Sequence, residues 1–309
     1  MVQPFQSIDD ATTRLEQAGY MVSRQIAVTA FLADRLGKPI LVEGPAGVGK
    51  TELARAVSVA LGRELVRLQC YEGLDESKAL YEWEYAKQLL YTQLLKDKIS
   101  ELMVGTSTLA EAADRVANSD AIFFSKRFLL PRPILKALQS PHPTVLLIDE
   151  IDKSDPEFEA FLLEMLSDYA VSIPEIGTLK AVHIPQVILT SNNARELSDA
   201  LKRRCIHLSI DYPTRDRELA ILRSRLPHVD AKLAEQVARA VEKLRGIDLK
   251  KAPSISESLD WLSSLVLLGA SSLSADVISE TLHLVLKYES DIELARAHLS
   301  DLSKSSHIE

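Results

Sequence analysis

The most legible chemistry in the chain lies in one uninterrupted run: Gly44, Pro45, Ala46, Gly47, Val48, Gly49, Lys50 and Thr51. It fits G-x-x-x-x-G-K-[ST], in which glycines let successive backbone N–H groups converge on phosphate oxygens and a helix start adds partial positive charge. Lys50 has the reach for the β/γ-phosphates of a nucleoside triphosphate, and the Thr51 hydroxyl suits a Mg²⁺ shell. A second constellation is Asp149-Glu150, two carboxylates closing the apolar run Val145-Leu146-Leu147-Ile148. An Asp at a strand mouth can complete the metal shell, and an adjacent Glu can orient and deprotonate an attacking water. Two further groups are less specific. Asn192 and Asn193 follow Leu189-Thr190-Ser191, where an amide could reach a γ-phosphate or simply make a turn. Lys202-Arg203-Arg204 could complement a helix dipole or lend an arginine to a neighbouring subunit's nucleotide. Asp152 and Asp155 are read as loop and helix-cap residues.

Strand ends must bring these groups together. Strands are expected at 39–43, 65–70, 144–149, 186–191 and 206–211, as nearly continuous apolar runs suited to a parallel sheet covered on both faces. The glycine-rich motif follows the first of them and opens a helix (KTELARAVSVAL). Val22, Ile26 and Ala30 mark one face of a helix before that strand. Phe158, Phe161, Leu162, Met165 and Leu166 mark another after the third, with Pro156 in its first turn. The interval 71–143 is rich in helix formers and too long for a plain strand–helix–strand step, which predicts an inserted helical element. Residues 170–174 and 179–184 read as a hairpin before the fourth strand. Beyond Pro213 the strands stop. The expected organisation is therefore an α/β domain over 1–213, a helical domain over 214–302 and a polar, frayed tail over 303–309.

A chain of 309 residues has room for two such units. The 36 Lys and Arg against 44 Asp and Glu leave a formal charge of −8, which argues against nucleic acid or an anionic membrane as the main partner. No apolar run approaches the ~18–20 residues of a membrane span, and the first residues do not read as a signal peptide. Cys70 and Cys205 show no metal spacing and are read as two reduced thiols. The expectation is a soluble, cytoplasmic protein.

GPAGVGKT, VLLIDEID, LTSNN and ALKRRC occur in that order within about residues 22–213, ahead of a helical remainder. In this the sequence resembles the AAA+ ATPases, and within them the MoxR type. RLQCYEGLD (67–75), LYEWEY (80–85), FLLPRPIL (128–135) and IDYP (210–213) are similar to segments of the MoxR-type ATPases found in gene clusters of molybdenum/copper carbon-monoxide dehydrogenase. The resemblance implies a P-loop AAA+ core of the α/β class, a five-stranded parallel sheet with helices on both faces, followed by a small all-helical lid. It implies ATP and Mg²⁺ as cofactors, with Gly44 to Thr51 as Walker A loop and Asp149 and Glu150 as Walker B acids. Asn192 is then the sensor-1 residue, with Asn193 the fallback, and Arg204 the arginine finger, with Arg203 second. It further implies a chaperone-like motor working as a ring, usually a homohexamer. A von Willebrand factor A domain protein and a target metalloenzyme would be its partners. Two other readings stand beside the motor: an ATP-gated assembly module with incidental hydrolysis, and a DNA-remodelling ATPase. One departure matters. Many relatives carry a sensor-2 arginine at the start of a lid helix, whereas here that stretch is Ala252-Pro253-Ser254-Ile255-Ser256-Glu257-Ser258-Leu259. Ser254 and Glu257 fit a capping box instead.

Overall fold

In the computed structural model, residues 3–94, 128–174 and 176–303 are described. Five apolar runs form five strands: β1 (Ile40–Glu43), β2 (Glu64–Gln69), and, numbered here in chain order after a short ribbon, β5 (Thr144–Asp149), β8 (Gln186–Ser191) and β9 (Ile206–Ser209). They pair in the order β2-β5-β8-β1-β9, every neighbour parallel. All six residues of β5 are buried, as a central strand covered on both faces requires. Alternation assigns Leu146 and Ile148 to one core and Val145 and Leu147 to the other. The fifth strand stops at Ser209, two residues short of the expected end, and Ile210 donates its N–H to the Glu43 carbonyl as the chain leaves the sheet.

Register aligns the carboxyl ends. Gln69 pairs with Asp149, and Glu43 with both Ser191 and Ser209. The loops after β1, β5 and β8 therefore leave from one edge. The strand order places β5 and β1 on either side of β8, and in open α/β sheets the crevice beyond such an edge is where ligands bind.

Helices α1 (Ile8–Gln17), α2 (Arg24–Leu36) and α3 (Lys50–Leu61) cover one face. Ser7 caps α1 and Ser23 caps α2, each accepting an N–H three residues on. α1 has no counterpart among the expected elements. The other face receives α6 (Pro133–Leu138) and α7 (Pro156–Asp168), both opened by a proline at N1. Phe158, Leu162, Met165 and Leu166 of α7 are buried as their spacing predicts, and Phe161 is half-buried against the same core.

Two further regions differ from expectation. Within 71–143 the described residues form α4 (Glu76–Leu80), α5 (Tyr85–Leu94) and an antiparallel ribbon of β3 (Tyr81–Trp83) with β4 (Leu129–Pro131). The expected helical insert thus begins within a β-ribbon framework, and its part at 95–127 lies outside the described residues. The hairpin consists of β6 (Ala170–Ile173) and β7 (Gly177–Lys180), ending four residues earlier than predicted. Ala170 opposite Lys180 sets that register, leaving Ala181–Ile184 as a link to β8.

Helix α8 (Asp199–Arg204) precedes β9, and after Pro213 the described residues form six helices: α9 (Arg215–Arg225), α10 (Ala231–Arg245), α11 (Ile255–Leu267), α12 (Ala275–Val285), α13 (Glu289–Arg296) and α14 (Leu299–Ser303). Residues from Leu222 to Leu302 make a third hydrophobic core of their own around fully buried Trp261, whose indole N–H donates to Thr281 Oγ1 at 2.8 Å. Of the tail expected at 303–309, Ser303 instead ends α14, and 304–309 lie outside the described residues. Among the described residues no helix is long and apolar enough to cross a membrane.

Candidate functional site

The glycine-rich loop leaves β1 through Gly44, whose φ of 152° and whose approach to β9 leave no room for a side chain: a Cβ there would overlap the Ile210 carbonyl oxygen. Gly47, at φ 75°, is equally confined, since a Cβ would overlap that of Ser254 and lie 2.6 Å from its Oγ. The loop ends at Lys50, the first residue of α3. Its buried ammonium donates to the carbonyls of Gly44 and Pro45 and to Asn192 Oδ1, each at 2.7 Å. Burial lowers the Lys50 pKa, and the nearby carboxylates of Asp152, Asp149 and Glu150 oppose that shift.

Beside it, Thr51 Oγ1 lies 3.1 and 3.2 Å from the two oxygens of Asp149. Asp149 is 2% exposed and also accepts from Thr190 Oγ1 and Arg67 Nη2, each at 2.6 Å. A hydroxyl and a carboxylate converging in this way are the oxygen donors Mg²⁺ prefers. Among the described residues no cluster of three His, Cys, Asp or Glu could hold a metal by itself. A Mg²⁺ arriving with a triphosphate needs only one or two carboxylates and draws its other ligands from phosphate and water. The residues therefore fit Mg²⁺ bound with a nucleotide.

Glu150 sits one residue beyond, at φ 57°, which turns its carboxylate back over the edge of the sheet. Asn192 Nδ2 donates to Oε1 at 3.1 Å, while Gln69 Nε2 at 2.8 Å and Lys153 Nζ at 2.6 Å donate to Oε2. Its backbone N–H is held by Thr190 Oγ1 at 2.9 Å. Asn192 therefore bridges Lys50 and Glu150. Asn193, at φ 60°, donates its N–H to Ser191 Oγ and is not among the residues that line the cleft. Asp152 serves the loop, as expected: its Oδ2 accepts the N–H groups of Asn192 and Ala194 at 3.1 and 2.9 Å. Asp155 corrects its expectation. It occupies the N-cap position of α7 without a capping bond, and its Oδ2 accepts the Gly73 N–H at 3.1 Å. The carboxylate ties two loops together instead of closing a helix.

These groups line one end of a cleft of about 860 Å³. The same cleft has an apolar wall formed by Tyr20, Met21, Ile26, Ile210, Tyr212 and Ile221. Burial pushes the Tyr20 phenol up to about 12, so the ring stands there as a neutral surface. Arg217, Ile221 and Arg225, spaced i, i+4, i+8 on α9, face the cleft. Arg217 donates to the Met21 carbonyl at 2.6 Å, and Arg225 pairs with Glu52, the residue after Thr51. Arg203 and Arg204, at the end of α8, are exposed and stand outside the cleft of their own chain; Arg204 Nε donates to Ser167 Oγ at 2.9 Å.

Sequence reasoning missed Arg67, Gln69, Thr190, Arg217 and Arg225. The α9 stripe was visible as helical spacing. The β2 pair was visible only as alternate polar residues in ELVRLQ, with nothing to say that this strand adjoins Asp149. Cys70 and Cys205 are both free, and burial raises each thiol to about 12.

Curated relatives include an uncharacterised protein of Staphylococcus aureus (strain bovine RF122 / ET3-1), 27% identical over 238 residues, 75% of this chain and 76% of that protein. Another, from Staphylococcus haemolyticus (strain JCSC1435), is 25% identical over the same shares and is also uncharacterised. Among solved structures, the Thermotoga maritima RuvB Holliday junction branch migration motor is 16% identical with a TM-score of 0.46, over 87% of this chain and 68% of that one. A single-residue mutant of RuvB is 18% identical with a TM-score of 0.49, over 87% and 70%. Likeness at that level carries no argument about substrate. Residues 39–205, more than half the chain and spanning every motif from the phosphate loop to Arg204, match the AAA domain of the dynein-related subfamily. The chain belongs to that family, and it is an ATPase that takes ATP with Mg²⁺.

Proposed function

We propose that this ATPase is a ring-forming motor of the MoxR type, which spends ATP hydrolysis on remodelling a partner protein during maturation of a metal-cofactor (molybdenum/copper) enzyme. One observation carries the catalytic part: Lys50, Thr51, Asp149, Glu150 and Asn192 converge within hydrogen-bond distance at one end of a single cleft. In this reading the loop amides of 44–51 and Lys50 bind the β/γ-phosphates, and Thr51 and Asp149 hold Mg²⁺. Bound there, Mg²⁺ neutralises charge on the phosphates. Glu150 takes the proton of the attacking water, with its carboxylate aimed by Gln69 and Asn192. Asn192, already between Lys50 and Glu150, orients water and γ-phosphate together.

Arg204, with Arg203 as the alternative, acts on the nucleotide of the next subunit, which its exposed place outside the cleft of its own chain supports. That requirement calls for a ring of subunits, and the family resemblance implies a homohexamer. The MoxR assignment and the two protein partners rest on the motif resemblance, and the cytoplasmic location on the composition and the two reduced thiols. Those partners, a von Willebrand factor A domain protein and the target metalloenzyme, are to be sought by pull-down. The formal charge of −8 weighs against the DNA-remodelling alternative. The ATP-gated module is favoured by one feature, the capping box that stands where a sensor-2 arginine would be.

Mg²⁺-dependent ATPase assays on two variants test the site. Lys50→Ala should lose nucleotide binding. Glu150→Gln should keep ATP bound while turnover falls by ~10² or more. A Glu150→Gln protein that turns over normally removes Glu150 from the mechanism. One that restores full function in a deletion strain displaces the motor in favour of the gated module.

A further inference from the structure

The phosphate loop does not stand free of the helical region. Gly47 abuts Ser254 so closely that a single added Cβ would overlap the serine. Ser254 is itself buried and is the last residue of a segment tied at every position. The N–H groups of Lys250 and Lys251 donate to the two oxygens of buried Asp291 at 3.0 and 3.1 Å. The Ala252 carbonyl accepts from the Tyr212 hydroxyl at 3.4 Å, and the Pro253 carbonyl accepts from Arg245 Nε at 2.8 Å. Ser254 N–H donates to Glu257 Oε2 at 2.7 Å.

Behind the segment lies a buried ionic network. Glu218, wholly inaccessible, receives Arg245 through two nitrogens at 2.5 and 3.0 Å and the Ser258 hydroxyl at 2.6 Å. The same Arg245 guanidinium lies 4.8 Å from the centroid of the Tyr212 ring, which lines the cleft. Satisfied buried networks of this kind hold one geometry, because any displacement strands a charge away from water. Segment 250–254, α9, α10 and α11 therefore move together; they meet the loop at Ser254 on Gly47, and α9 reaches the residue after the loop through the Arg225–Glu52 pair.

We propose that Ser254 is a positioning residue through which the helical region reads the state of the phosphate loop by direct contact, in place of an arginine on the γ-phosphate. The proposal rests on the nucleotide site described above. When the loop closes on a triphosphate, Gly47 presses on or withdraws from Ser254, and the strapped segment carries that displacement to α9 and α11, whose Ile221, Ile255 and Leu259 wall the cleft.

Two variants separate contact from capping. Ser254→Ala keeps the Cβ that meets Gly47 and loses the capping hydroxyl. Ser254→Gly loses both, yet glycine is the better N-cap of the two. Contact predicts that glycine is the more damaging substitution, and capping predicts alanine. The measurement is amide hydrogen exchange of peptides covering 44–51 and 250–260, with Mg-ATP and with Mg-ADP, alongside melting temperatures of each protein. In the wild type Mg-ATP should protect both peptides more than Mg-ADP does. Ser254→Ala should keep that difference in 250–260. Ser254→Gly should lose it there while 44–51 stays protected. The proposal is overturned if Ser254→Gly behaves as wild type, if alanine is the more damaging, or if wild-type 250–260 ignores the nucleotide while 44–51 responds. If wild-type 44–51 shows no protection, the nucleotide-site assignment fails and this proposal falls with it, a result distinct from all the others.

Discussion

Glu150 is held by more donors than a general base needs for its own stability. Oε2 is shared between Gln69 and Lys153, and Oε1 accepts from Asn192. A carboxylate anchored in this way has its free lone pairs aimed in a set direction, and in the proposed mechanism Gln69 contributes orientation and not binding. Gln69→Ala should therefore lower kcat about tenfold, ~1.4 kcal/mol of barrier, and leave nucleotide affinity unchanged. Steady-state kinetics beside a nucleotide titration check this, and an equal loss of affinity would mean that Gln69 shapes the binding site itself. Both Asn192 and Asn193 are amides at a strand end, and tertiary structure sets them apart: Asn192 bonds Lys50 and Glu150 and lines the cleft, while Asn193 takes a left-handed φ of 60° and is not among the cleft-lining residues. Spacing along the chain could not have separated them.

At the scale of elements, α11 depends on its first turn. Ser254 and Glu257 satisfy each other's backbone N–H groups in the capping box that S-x-x-E predicts. Burial alone would raise the Glu257 pKa, but hydrogen bonds from Ser254 and the ion pair with Lys251 outweigh it and leave the value below the ordinary 4.5. A group whose folded pKa is depressed contributes stability above its unfolded value and loses it as pH falls through the folded one. Glu257→Gln should accordingly destabilise the protein by about 0.5–1 kcal/mol at pH 7, and the difference from wild type should shrink as pH falls below the ordinary carboxylate value of 4.5 and through the depressed folded one. Urea melts of both proteins across that range measure it, and a penalty that does not vary with pH would assign the effect to packing. α9 shows the complementary case. Its i, i+4, i+8 stripe is plain in the sequence, but which wall it faces is set by the turn at Tyr212-Pro213 and by the buried Glu218–Arg245 pair.

For the whole molecule, the informative fact is where the arginines are. Arg217 and Arg225 line the chain's own cleft, whereas Arg203 and Arg204 face outward from the end of α8. If Arg204 acts on a neighbour, specific ATPase activity should climb with protein concentration through the assembly range. Arg204→Ala should then reduce kcat by ~10³ or more. Mixing Arg204→Ala with Glu150→Gln should restore part of the activity, since the first supplies an intact cleft and the second an intact arginine. Activity that stays flat with concentration, or a mixture no better than its components, would place the arginine's role within one chain. Arg203→Ala in the same assay shows which of the two residues acts.

The sequence by itself determined what is local and periodic. The phosphate loop and the acidic pair are contiguous residues whose chemistry needs no long-range information. Parallel strands buried on both faces write themselves as apolar runs, α7 announces its buried face, and α11 announces its capping box. Tertiary structure alone decided what joins residues far apart in the chain. Arg67 and Gln69 reach Asp149 and Glu150 because β2 pairs with β5 and not with β1, a choice that no residue in either strand encodes alone. Asp155 gave up the helix cap for Gly73 because two loops converge at the sheet edge. Gly47 meets Ser254 across some two hundred residues of chain because Arg217 and Arg225 of the helical region bond to Met21 and Glu52 of the α/β part and dock the two together. Such contacts depend on strand order and on the docking of one core against another, which arise from the summed burial of many side chains and leave no signature at the positions they bring together.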